Sequence, residues 1–147
     1  MDFHQKIIEI DEHTSKEQKK NIHFKSLSNF IYYYDSTKKE KIRITKLLEG
    51  YINFIEKKSY SLTDEDSKEA YNEYVYPLGM QYYRRYLNFS ADLPFGGFII
   101  FCVLPNICAW FFTDLEIIKS VVLFFTLSYL ANYFFKLYKK KIYGYQY

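Results

Sequence analysis

The 147-residue chain is poor in the residues that punctuate or staple folds, with five Gly, three Pro, two Cys and one Trp. So little Gly and Pro excludes collagen-like repeats and low-complexity disorder, and two cysteines exclude a disulfide scaffold. Five glycines leave no phosphate-binding loop and no dinucleotide fingerprint. Tyr34 and Lys38 have the YxxxK spacing of some dehydrogenases, but that spacing arises by chance in a chain rich in both residues. His4, His13 and His23 stand nine and ten residues apart with no HExxH pattern, so no metal site is expected. The acids Asp64, Glu65 and Asp66 lack calcium-loop spacing, and neither cysteine has a base beside it. Nothing points to an enzyme, a cofactor or a metal.

What is abundant is aromatic: 17 Tyr and 14 Phe, in a chain that is 49% hydrophobic. Lys outnumbers Arg 17 to 3. AT-rich codons supply this whole pattern, so composition alone gives the tyrosines no special role. The net charge is +3, and the basic residues before residue 92 are almost matched by acids, so no nucleic-acid-binding stripe emerges.

Charge and apolarity are segregated. Residues 1–91 hold 15 of the 20 basic and 14 of the 17 acidic side chains, whereas 21 uncharged residues separate Asp92 from Asp114. At 1.5 Å per residue, such a helix reaches roughly 30 Å, one bilayer crossing. A second apolar run, about 117–137, is interrupted only by Lys119, whose long stem can snorkel to the interface. A soluble domain this small cannot wrap two helices that are apolar all round. The sequence therefore predicts a two-span hairpin turning at Thr113–Glu116.

Basic residues set the expected orientation. Arg84 and Arg85 flank the first span, Lys136, Lys139, Lys140 and Lys141 flank the second, and the turn carries no Lys or Arg. Both termini are expected on the cytoplasmic side, with Trp110 near the outer interface. The N-terminus lacks an apolar signal core, so the hairpin itself is expected to target the protein.

Pro105 and Asn106 sit near the middle of the first span, where proline removes a backbone hydrogen bond. A kink and a re-entrant turn compete, and the full spanning length favours the kink. Cys102, Asn106 and Ala109 then form one small and polar stripe. In the second span Thr126, Ser128, Ala131 and Asn132 are the matching small and polar positions. Folding about the turn brings Asn106 to the depth of Thr126, where a hydrogen bond is worth on the order of 1 kcal/mol. These residues are read as helix-helix packing positions, and Cys102 and Cys108 as too poorly placed to pair.

Residues 1–91 read as helices. Ile44, Leu47, Leu48, Tyr51, Ile52 and Ile55 give a helical stripe over about 37–58, with Thr37 and Glu40 as a capping box. Phe24, Leu27, Phe30, Ile31 and Tyr34 give another, expected to lie antiparallel to it. The first twenty residues are polar enough to be a less ordered continuation. SLTDED at 61–66 announces a third helix, which Pro77 and Gly79 are expected to end or bend. Residues 80–90 are either a juxtamembrane helix at the headgroup boundary or an ordinary bundle helix.

The expected architecture is all-α: a cytoplasmic helical domain over 1–91, a transmembrane hairpin over 92–137, and a basic aromatic tail over 138–147. The expected function is that of a non-catalytic membrane accessory or interaction protein, bound to lipid and to a protein partner or further copies of itself. The alternative is an oligomeric channel or permeabilising protein with a pore lined by Asn106, Lys119, Thr126, Ser128 and Asn132.

Overall fold

A computed structural model describes residues 2–36, 40–91 and 98–144. The structure is mostly helical, and it divides into two compact units: residues 1–92 together with 140–147, and residues 93–139.

In the first unit, α1 (Phe3–His13) and α2 (Lys16–Asn21) occupy the polar start of the chain. This corrects the expectation of weak order there. Asp2 caps α1 by accepting from the His4 and Gln5 amides, and Ser15 and Gln18 close a capping box on α2. Phe3 and Ile10 are buried and Ile7 packs against them, so three apolar residues at i, i+4 and i+7 suffice to dock the helix.

α3 (Phe24–Tyr32) packs on α1 and α2, burying Leu27, Phe30 and Ile31. α4 (Lys41–Lys57) buries Ile44, Leu48, Tyr51, Ile52 and Ile55, the face its periodicity predicts, with Leu47 partly buried beside them. Of its predicted capping box, Thr37 lies outside the described residues, and Glu40 is not the third helical residue the box requires but the N-cap itself, left-handed at φ 59° with no side-chain capping bond.

Thr63 and Asp66 form the capping box of α5 (Asp64–Ala70), with three acids in the first turn. Pro77 does not end this helix. The chain stays helical through π turns at Tyr71–Val75 and Leu78–Tyr83 into α6 (Arg84–Leu87). A wider π turn ahead of the proline accommodates its missing N–H and its ring, which an α turn would force against a carbonyl. The helix stops at Asn88, in the left-handed region at φ 58°, a conformation asparagine tolerates. Residues 80–90 are thus part of the bundle: Tyr82, Tyr83 and Phe89 are core residues.

β1 (Ser90–Ala91) pairs in parallel with β2 (Ile142–Tyr143), Ser90 opposite Ile142 and Ala91 opposite Tyr143. The tail expected as a basic aromatic extension over 138–147 therefore contributes Ile142 and Tyr143 to the first unit's core. Ile142 and Tyr143 are fully buried. Asn29 Nδ2 donates to Ile142 O at 2.8 Å, and Ser26 and Gly144 bond through the Ser26 hydroxyl. A local reading of the sequence sees only the lysines here, because the pairing partner lies about fifty residues away.

The second unit holds π turns at Ile99–Val103, then α7 (Leu104–Phe112) and α8 (Glu116–Tyr138), which pack against each other across the connection at Thr113–Leu115. α8 is long and apolar enough to cross a membrane, and none of its most apolar stretch is buried. Among the described residues it alone meets that criterion; the start of the other predicted span, 93–97, lies outside them.

Candidate functional site

Two features concentrate the unusual chemistry: the polar seam inside the hairpin, and the closure that joins the ends of the first unit.

The seam begins with the proline. Helical geometry persists through Leu104 and Pro105, because the π turn at Ile99–Val103 widens the helix just before the proline ring. The described backbone contains no turn at Pro105. Asn106 Nδ2 then donates to Cys102 O, one turn back, and across the hairpin to Thr126 Oγ1, both at 2.8 Å. The Thr126 hydroxyl donates in turn to Val122 O at 3.0 Å. Each proton of the Asn106 amide has an acceptor, and the chain of bonds ends on a backbone carbonyl. Cys102 and Ala109 are buried on the same side of the helix as Asn106, while Cys108 is exposed. Small side chains at 102 and 109 let the two helices approach closely enough for the bond.

Lys119 belongs to the same face of α8. Its Nζ lies 2.9 Å from Glu116 Oε1 and 5.0 Å from the centroid of the Trp110 ring on α7. Its side chain is mostly covered, and the charge is carried toward the turn, where the carboxylate and indole receive it.

The seam does not collect the whole predicted set. At about 100° per residue, Ser128, Ala131 and Asn132 lie roughly 120–160° around α8 from Thr126. All three are exposed. Among the described residues, neither Ser128 nor Asn132 has a side-chain hydrogen-bond partner. Helical spacing separates the two faces but does not say which of them the first helix docks on.

The predicted interface anchors also split. Lys136 is buried in the last turn of α8, and Lys139 lies over Phe135 and Tyr138. Lys140 and Lys141 belong to the first unit and sit over the Tyr32 and Tyr33 rings at 4.9 and 5.2 Å. Arg84 donates to Met80 Sδ, and Arg85 lies over Tyr86. Arg85 shares a shallow cleft with Arg43, whose Nε is 3.5 Å from Glu40.

The closure is a packed joint. Tyr143 lies against Phe30 at 5.9 Å between centroids, and its ring fills the space a Cβ at Gly79 would need. Gly79 is therefore a socket for Tyr143. Burial pushes the Tyr143 phenol up to about 12. Tyr83 packs beside it on Phe30 and donates to Phe30 O at 2.6 Å, and its burial likewise raises its pKa. Periodicity does not reveal this socket; an isolated glycine in a helical stretch, read as a breaker, is the only sequence signal of it.

The histidines stay apart. His4 faces Asp35 at 3.6 Å, His13 bonds to Glu9 O and stacks on Tyr60, and His23 is buried with Nε2 2.8 Å from Ser67 O. Among the described residues, no three His, Cys, Asp or Glu side chains come together to hold a metal ion. Compared with family models, curated proteins and solved structures, the chain finds no match.

Proposed function

We propose that this chain is a small, non-catalytic integral membrane protein. In this reading residues 93–139 cross the bilayer twice, both termini lie on the cytoplasmic side, and the helical domain binds a protein partner. The observation that carries the reading is the pairing of β1 with β2. The chain leaves the first unit directly after Ala91 and rejoins it at Lys140, within one strand pair. A segment whose two ends are held together in one folded domain enters and leaves a membrane from the same face, so it crosses an even number of times. One crossing by α8 then calls for a second in the opposite direction, and the uncharged run 93–113, which contains α7, is the apolar stretch that lies between Ala91 and α8.

Apolar exposure supports the bilayer itself. Phe111, Phe112 and Ile117 are each more than three-quarters exposed, next to the turn. In water this surface would cost on the order of 25 cal/mol per Å². The basic flanks and the acidic turn favour a cytoplasmic domain. The seam favours anchoring over conduction, because Asn106, Lys119 and Thr126 are committed within one hairpin and are not free to line a pore.

The test is topological. A cysteine at Asp114, in a chain whose native cysteines are replaced by alanine, is expected to react with an impermeant maleimide only from the outside of intact cells. Reaction only after permeabilisation would replace the crossing with a re-entrant loop. Crosslinking in native membranes, followed by mass measurement in mild detergent, then tests the accessory role. A complex containing neither a second protein nor a second copy would remove it.

A further inference from the structure

The two asparagines of the hairpin differ in one respect that the fold of a single copy does not resolve. Asn106 spends both amide protons inside the hairpin, whereas Asn132 is exposed on the other side of α8 and, among the described residues, has no hydrogen-bond partner. On the reading that α8 lies in a bilayer, Asn132 stands about 9 Å from the end of the helix, six residues before Tyr138. A carboxamide in contact with hydrocarbon carries a desolvation cost that its short stem cannot relieve by snorkelling. We infer that a second copy of this chain packs against the Ser128, Ala131 and Asn132 face of α8, pairing Asn132 with Asn132 across a two-fold axis along the membrane normal.

Three properties of this face select a second copy as the occupant. An asparagine amide is both donor and acceptor, so two of them satisfy each other without any further residue type. Every copy inserts with the same orientation, so Asn132 meets its equivalent at the same depth, a match that another protein would need to have built separately. Ser128, one turn before Asn132 on the same face, is small enough for two backbones to come near each other at that turn, which favours an interhelical hydrogen bond in lipid. A single polar residue at such a seam fixes register, as a buried asparagine does in a coiled coil.

The test uses the full chain in its native membrane, with Cys102 and Cys108 replaced by alanine and one cysteine introduced by Ser128→Cys, Ala131→Cys or, as a control on another face at similar depth, Leu130→Cys. Oxidation is expected to give a disulfide-linked dimer at 128 and 131, at least about tenfold more than at 130. Adding Asn132→Leu to Ala131→Cys is expected to reduce the dimer about three- to tenfold, the range for interhelical hydrogen bonds in membranes. Equal crosslinking at 128 and 130, or a crosslink from 131 to a different protein, would overturn the inference while a chain that resists alkaline extraction leaves the membrane reading standing. Release of the chain by alkaline extraction would overturn both.

Discussion

The two units of this protein treat the same kinds of side chain in opposite ways. In the first, Phe30, Ile31 and Leu27 are sealed from solvent, and the helices carry charges outward. In the second, Phe124, Phe125, Phe134 and Phe135 face outward, and the hydrogen-bonding groups Asn106 and Thr126 face inward. The first arrangement is stable where water is the solvent, and the second where hydrocarbon is. On the proposed membrane reading, each unit is folded for a different medium.

A pair of truncations breaks the comparison most sharply. Phe30→Ala removes a ring packed against Tyr83, Phe89 and Tyr143. It is expected to cost about 3–5 kcal/mol of domain stability, read as a lowered denaturant midpoint. Phe124→Ala deletes the same ring from an exposed position on α8. There the domain's midpoint is expected to move by less than about 0.5 kcal/mol. Equal losses from the two substitutions would mean that α8 is buried in a shared core and that the contrast is false.

Disturbing the closure is expected to have the next largest effect. Gly79→Ala places a methyl where the Tyr143 ring lies, so either the helix shifts or β2 leaves its socket. Overpacking of this kind is expected to cost about 1–3 kcal/mol and to make the C-terminal residues sensitive to protease in the folded protein. The double variant Gly79→Ala with Tyr143→Leu should recover part of that loss, which separates a clash at the socket from a general effect on the helix. A smaller effect is expected in the hairpin: Asn106→Leu should weaken helix pairing by about 0.6–1.7 kcal/mol, measured by unfolding in detergent, and leave the first unit's midpoint unchanged.

The features behind these effects differ in how far the residues alone disclose them. The α4 stripe and the SLTDED cap are local, repeating at 3.6 residues or within one turn, and they stand in the structure as the spacing predicts. The depth match of Asn106 to Thr126 was legible because a short turn leaves the register of two antiparallel helices little freedom. The tail was not legible. Its lysines dominate the local composition, while the contacts that bury Ile142 and Tyr143 come from Asn29, Gly79 and Ser90, far off in the chain. Pro77 left two outcomes open, an end or a bend, and the structure excludes the end: a proline rules out an undisturbed α turn, and a π turn satisfies the same constraint without ending the helix. The division of the polar positions into an inner seam and an outer face depends on the docking angle of α7, which no periodicity carries.

The weakest expected effect concerns the first unit's response to acid. His23 sits at the start of α3 with φ 47°, its ring edge-on to Tyr71 and its Nε2 within 2.8 Å of Ser67 O, and Ser67 Oγ in turn donates to Asn21 O. Burial holds its pKa below the ordinary histidine value. The unfolded chain therefore takes up the proton first as pH falls, so the stabilising contribution is complete above about pH 6.5 and declines below it, by no more than about 1.4 kcal/mol per pH unit. The carboxyls of Glu9 and Asp66, held low by hydrogen bonds from Lys6 and Lys58, also contribute above their ordinary values and lose that contribution on acidification, but only nearer pH 4. The windows are separable. His23→Asn, which tolerates the left-handed backbone, is expected to flatten the thermal midpoint between pH 7 and 5 while leaving the steeper loss near pH 4 in place. A midpoint that still falls across pH 7 to 5 in that variant would assign the neutral-range response to a group other than His23. Asn132→Leu, in the hairpin, should leave both windows unchanged, because the hairpin unit supplies none of these titrating groups.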